Sequence, residues 1–315
     1  MPKYRKNLPQ LDGDIFLTDG GIETTLLFLD GYPLPHFAAF DLMKSHDGRE
    51  HLRSYYRRYA TIATDNRLGF VLEAPTWRSN PDWGTRLGYS AEALDAVNRG
   101  AIDLLDEVRG IHETAASPMV ISGCLGPRGD GYHPDRLMEI EEAERYHGPQ
   151  IRAFRDAGAD LVTAITMNYV EEAAGIARAA ADAEMPVVIS FTVETNGRLV
   201  TGTPLGEAIG AVDQASEWAP AYYMINCAHP THFAAAIDAD EGWVRRIRGL
   251  RANASRLSHA ELDAATELDS GNPADLAARY ADLKRRHPGL CVLGGCCGTD
   301  HRHLTEICLS CTAVA

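Results

Sequence analysis

The 315-residue chain is short of positive charge: 30 Lys and Arg stand against 44 Asp and Glu, and the formal net charge of −14 is spread along its length. No basic run interleaves with aromatics, so neither nucleic acid nor an anionic membrane is an expected partner. No apolar run approaches the roughly 20 residues needed to cross a bilayer. Nor does an apolar stretch follow Lys3, Arg5 and Lys6 as it would in an export leader, and a cytoplasmic location is expected. Gly/Ser and Pro-rich linkers, low-complexity tracts and long internal repeats are all missing, which makes 1–315 a single expected domain. Neither G-x-G-x-x-G nor G-x-x-x-x-G-K occurs, so a nucleotide fold has nothing behind it. The oligomeric state is left open, a homo-oligomer included.

What is present is an ordinary globular composition, 45% apolar and 23% charged, with enough chain to bury a large core. Short β-rich runs closed by Gly, Pro or polar residues predict strands at 15–18, 70–73, 119–122, 161–165, 187–192, 222–226, weakly at 250–252, and at 290–293. Between them, helical spacing with few breakers predicts helices at 50–64, 91–115, 140–157, 170–183, 205–218 and 273–286. Eight strands alternating with helices in a chain this long predict an α/β fold, a (β/α)8 TIM barrel. Chemistry in such barrels gathers where strands end. Asp19-Gly20-Gly21, Glu73, Cys227 and Gly294-Gly295-Cys296-Cys297-Gly298 all fall at predicted strand ends.

The seven cysteines, at 124, 227, 291, 296, 297, 308 and 311, are odd in number and crowd the last third of the chain, unlike a disulfide framework. Adjacent Cys296 and Cys297, with Cys227 on another strand end, supply three thiolates and no obvious fourth ligand. Three protein ligands with one open place are the pattern of catalytic rather than structural Zn²⁺. A free thiol is mostly protonated at neutral pH, and a substrate thiol entering the open place would lose its proton to become a nucleophile. The same residues are also compatible with buried small side chains. Cys308 and Cys311, with Cys296 and Cys297, offer a different set: a structural or redox-sensing four-cysteine zinc site. His229, two residues beyond Cys227, reads as a loop residue, His301 and His303 as residues on a helix surface, and Cys124 and Cys291 as core thiols.

Asn226-Cys227 and Gly294-Gly295-Cys296-Cys297-Gly298-Thr299 together resemble the two zinc motifs of the homocysteine S-methyltransferase family, which includes betaine-homocysteine methyltransferase and the homocysteine domain of cobalamin-dependent methionine synthase. Thr18-Asp19-Gly20-Gly21, Gly123 to Pro127, Ala157 to Leu161, Val187 to Thr192 and Asn253-Ala254 resemble further family segments in the same order, from about residue 15 to residue 307. The resemblance implies a (β/α)8 barrel, a zinc ion held by Cys227, Cys296 and Cys297, and Asp19, Gly20 and Gly21 facing the amino-acid part of a thiol acceptor. It also implies methyl transfer from a small activated donor, of sulfonium or betaine type, to a thiol such as homocysteine, giving methionine. One departure stands out. Where the family carries an ammonium-binding Glu at the end of its fourth strand, this sequence has Ile165, which points to a different thiol acceptor as the second reading. Glu73 is a candidate to compensate, or else a structural hydrogen-bonding residue.

Overall fold

The computed structural model describes residues 2–134, 136–239 and 241–314. Eight parallel strands close on themselves in chain order: β1 (Phe16–Leu17), β2 (Gly69–Glu73), β3 (Met119–Leu125), β4 (Leu161–Met167), β5 (Val187–Phe191), β6 (Pro220–Asn226), β7 (Ile247–Ala252) and β8 (Val292–Gly295). Closure is made by β1 against β8, with Phe16 opposite Val292 and Leu17 opposite Leu293. The predicted (β/α)8 barrel is the observed fold.

Both faces of each strand are covered, which is why the strands read as nearly unbroken apolar runs. Phe16, Val71, Val120, Leu161, Val188, Tyr222 and Val292 fill the barrel interior, and Leu8 packs with them. Outside, Phe70, Leu72, Ile121, Val162, Ile189 and Ile225 meet the helices. Helix His46–Asp65 contributes three fully buried tyrosines, Tyr55, Tyr56 and Tyr59. It starts four residues ahead of the predicted 50, because the Ser45 hydroxyl accepts from the Gly48 N–H and caps it there. Helices Ile140–Ala157 and Pro273–Arg286 match their predicted bounds. The first ends at Gly158, whose φ of 95° supplies the left-handed turn that closes a helix.

Strand β7 is twice its predicted length. Arg248, Gly249 and Arg251 break its apolar pattern; Gly249 and Arg251 have tertiary reasons, and that of Arg251 lies at the functional end of the barrel. Among the described residues, no helix is long and apolar enough to cross a membrane.

Candidate metal centre and substrate pocket

The loop after β8 turns at Gly298, where φ is 80°, a conformation glycine adopts freely. Its backbone is fastened on two sides. The Cys296 N–H donates to the Ala252 carbonyl on β7 (2.9 Å), the Ala254 N–H to the Cys297 carbonyl (3.1 Å), and the Gly21 N–H to the Thr299 carbonyl (3.1 Å). Gly21 has an ordinary backbone conformation, φ −74°, but no room for a side chain: a Cβ there would sit 2.5 Å from both the Cys296 carbonyl oxygen and Thr24 Oγ1. The glycines of the β1 loop are thus part of what places Cys296. Gly21→Ala is expected to displace Cys296, weakening zinc binding about 10-fold or more while leaving the circular dichroism unchanged. Unaltered affinity in a chelator competition would show that the loop gives way without cost.

Cys227 follows β6 with φ of 55°, and Thr166 near the end of β4 has φ of 62°. Non-glycine residues in this region are strained and persist only when surroundings hold them. Here the Asn226 side chain bonds Thr166 twice, accepting from its N–H (2.8 Å) and donating to its hydroxyl (2.9 Å), and also accepts from Ser190 Oγ (2.7 Å). The Cys227 carbonyl accepts from Asn253 Nδ2 (3.0 Å) and His259 Nε2 (2.7 Å). His259 reaches Glu194 through its other ring nitrogen (3.0 Å).

This scaffold gathers the three predicted cysteines. Cys227 Sγ lies 3.0 Å from Cys296 Sγ and 3.7 Å from Cys297 Sγ, and all three sulfurs fall within 4.8 Å of one another. Sulfurs about 2.3 Å from one tetrahedral ion would be about 3.8 Å apart, so small adjustments let the trio hold a metal. Hydrogen bonding with Cys227 and then Cys297, aided by the Arg251 charge, pulls the Cys296 thiol well below its usual range. The same sharing pushes Cys227 up, chiefly through Cys296, and Cys297 up, chiefly through Cys227. Of the three, Cys296 is the thiol that its surroundings favour as the anion.

The four-cysteine alternative is not assembled. Cys308 and Cys311 are buried in the helix core, and among the described residues only Cys227, Cys296 and Cys297 form a ligand cluster. His229 stays outside it as well: its Nδ1 caps helix Pro230–Ile237, accepting from the Thr231 N–H (3.3 Å), and burial pushes its pKa down to about 4. His303, expected on a helix surface, is instead fully buried, donating or accepting through Nδ1 at Asp300 and meeting the Ser270 carbonyl at 2.9 Å. Cys124 and Cys291 are buried as expected, although Cys124 also borders the chamber described next.

Two connected spaces meet at the thiols. The outer pocket, about 310 Å³, is walled by Phe28, Phe37, Trp77 and Tyr132 and by the carboxylates Asp130, Asp263 and Glu267, with Arg78 as the opposing cation. The inner chamber, about 40 Å³, is bounded by Asp19, Gly20, Gly21, Glu73 and Arg251. Glu23, Thr24, Trp77, Ile165, Cys296 and Cys297 line both. Asp19 is buried, accepting from Arg251 Nη2 (2.6 Å) and the Tyr55 hydroxyl (3.0 Å). Glu73 accepts from the Thr163 hydroxyl (2.9 Å), and its other oxygen lies 3.7 Å from Arg251 Nη1. Burial raises both carboxyls, and the Arg251 charge opposes the rise. Ile165 takes the place at the end of β4 that the sequence marked, presenting an apolar wall to the pocket.

Several participants carry no sequence signal. Tyr132, in the loop after β3, places its hydroxyl 3.2 Å from Cys227 Sγ and 4.0 Å from Cys297 Sγ. Its ring stacks on His259 at 3.9 Å between centroids. Burial, reinforced by the three sulfurs, keeps that phenol protonated, and in its contact with Cys227 either group can donate. Glu23, two residues past Gly21, is pushed up to about 7 by burial, with the Cys296 and Asp19 charges adding to the shift.

A family profile described as homocysteine S-methyltransferase matches residues 16–311. The homocysteine S-methyltransferase YbgG of Bacillus subtilis strain 168 is 25% identical over 201 residues, 60% of each chain. The homocysteine S-methyltransferase of Escherichia coli strain K12 is 28% identical over 140 residues, 40% of this chain and 45% of that one. The chain thus spans less than two-thirds of the length of either curated relative in these alignments. Among solved structures, the metallated form of the homocysteine methyltransferase MmuM from Escherichia coli superposes with a TM-score of 0.76 at 20% identity, covering 97% of this chain and 99% of that one. Its oxidized form gives 0.75 at 21% identity, with 95% and 98% covered.

Proposed function

The chain belongs to the homocysteine S-methyltransferase family, and from that premise we propose that it moves a methyl group from a small cationic donor of sulfonium or betaine type to a thiol, homocysteine giving methionine, with zinc held by Cys227, Cys296 and Cys297. The observation that carries this reading is the trio of sulfurs within 4.8 Å of one another, opening directly onto a pocket. When bound, zinc supplies acidity to an incoming thiol, since it favours the deprotonated ligand.

The chain's own residues supply position and environment. With Cys227 as thiolate, the Tyr132 hydroxyl 3.2 Å away would donate to its sulfur and temper the charge of the sulfur shell. Asn253 and His259 fix the Cys227 carbonyl and with it the direction of that ligand. The aromatic and acidic walls of the outer pocket suit a donor carrying positive charge on sulfur or nitrogen, because ring faces and carboxylates both attract a desolvated cation. In-line displacement between two bound partners needs no covalent enzyme intermediate, and holding the partners close is the main contribution asked of the protein.

A second reading keeps this chemistry and changes the acceptor, and Ile165 favours it: an uncharged side chain there forgoes a charge-assisted hydrogen bond. Both readings meet one experiment. Zinc-loaded protein is offered homocysteine and a panel of other thiols against sulfonium and betaine donors, with products followed by mass spectrometry. Methionine formation supports the first reading, and methylation of another thiol alone supports the second. No methylated thiol with any pair, at full zinc occupancy, would remove both.

A further inference from the structure

At the junction of the two chambers stands a carboxylate with no cation paired to it. Glu23 lines both spaces beside Ile165 and Cys296. Among the described residues it has no ion-pair partner, and its favourable neighbours are its own backbone N–H and the charge of Arg78. A second observation lies deeper in. Glu73 Oε2 and Arg251 Nη1 are both buried without a hydrogen-bond partner, on side chains only 5% and 6% exposed. Arg251 spends its shortest bond on Asp19, at 2.6 Å, and a further one on the Gly295 carbonyl, at 3.2 Å.

The inner chamber therefore presents three carboxylates, Asp19, Glu23 and Glu73, to a single guanidinium. Asp19 and Glu73 are buried and Glu23 is half-buried, and carboxylates withdrawn from water are costly unless a cation or donor reaches them. The missing partner must be small. The inner chamber, about 40 Å³, is far smaller than the outer pocket of about 310 Å³, so the inner space suits a compact ammonium head and the outer one a bulkier trimethylated or sulfonium centre. It must also belong to a molecule whose sulfur can reach Cys296 and Cys297, which border the same space.

We infer that Glu23 and Glu73 together hold the ammonium group of the acceptor, which makes that acceptor an amino-acid thiol even though β4 ends in Ile165. The inference rests on the thiol-acceptor reading above. Ile165 then serves as the apolar wall along the methylenes that link sulfur to ammonium, and the charge recognition comes from the β1 loop and the end of β2.

Calorimetric titration of the zinc-loaded protein with homocysteine and with 4-mercaptobutyrate, which has the same thiol and carboxylate but no ammonium, tests this. The protein is expected to favour homocysteine. Glu23→Gln should weaken homocysteine about 10-fold to 100-fold and bring the ratio of the two affinities toward unity, and Glu73→Gln should do the same if its melting transition shows it folded. Equal affinity of both thiols for the unaltered protein, or an unchanged ratio in Glu23→Gln, overturns the inference and leaves the methyl-transfer reading standing. A loss in Glu23→Gln confined to the KM of a cationic donor overturns it as well. If neither thiol binds the unaltered protein, the acceptor reading itself falls.

Discussion

Cys227→Ser is expected to leave the protein folded and nearly free of zinc, with methyl transfer at least about 10³-fold slower. Two arguments combine. The hydroxyl does not ionise as a thiol does, so on the proposed assignment the cation would lose one of three negative ligands and keep only the adjacent Cys296 and Cys297. The fold, by contrast, uses residue 227 through its backbone: the carbonyl is held by Asn253 and His259 and the N–H donates to the Arg251 carbonyl (3.1 Å). None of these contacts involves sulfur. Metal analysis after gel filtration, beside a melting curve, reads both halves. Cys311→Ser is the control, because Cys311 is buried in the core away from the cluster. It should cost about 1–3 kcal/mol of stability for a hydroxyl placed among apolar groups and keep its zinc. Full zinc in Cys227→Ser, or zinc lost from Cys311→Ser, would reverse the assignment of ligands.

Arg251→Met is expected to destabilise the protein by about 3–5 kcal/mol, because it removes the buried cation that faces Asp19 and Glu73 and leaves both carboxylates without it. For a chain of this size that corresponds to a fall in Tm of about 5–8 °C. The loss should depend on pH in a definite sense. Burial already raises the Asp19 and Glu73 carboxyls in the folded state, and Arg251 is the main force opposing that rise. Without it their folded pKa values move further above the unfolded ones. An acid raised on folding favours the folded state at low pH and penalises it as pH climbs past the unfolded pKa, about 4 for these groups. The gap between Arg251→Met and the unaltered protein should thus be small near pH 4–5 and widest near pH 7–8. Urea unfolding across that range checks it, and a gap that stays constant would mean that the lost packing and hydrogen bonds of the arginine, rather than its charge, matter.

Arg251 also shows why the sequence marked β7 weakly. Two arginines within Ile-Arg-Gly-Leu-Arg-Ala argue against a strand buried on both faces, and at Arg251 the approach of Asp19, more than two hundred residues away, and of the Gly295 carbonyl makes the charge tolerable. Gly249 follows the same logic: a Cβ there would lie 2.6 Å from Met224 Sδ on the adjoining strand. The other strands were legible because their requirement is uniform, apolar side chains on both faces and a turn signal at the end.

The sequence by itself determined the barrel, through periodicity that each segment carries locally, and it marked the three sulfur positions through their resemblance to family motifs, since spacing alone left buried thiols and a four-cysteine set open. It also marked Asp19, Gly20, Gly21 and Glu73, which the fold brings to one small chamber. Tyr132, Glu23, His259 and the inward Arg251 were decided only by tertiary structure. A tyrosine 95 positions from Cys227, or a glutamate within a short helical turn, has the same local preferences whether it meets solvent or a thiol. Loop geometry and strand order bring such groups together, and those are properties of the closed barrel that no single segment encodes.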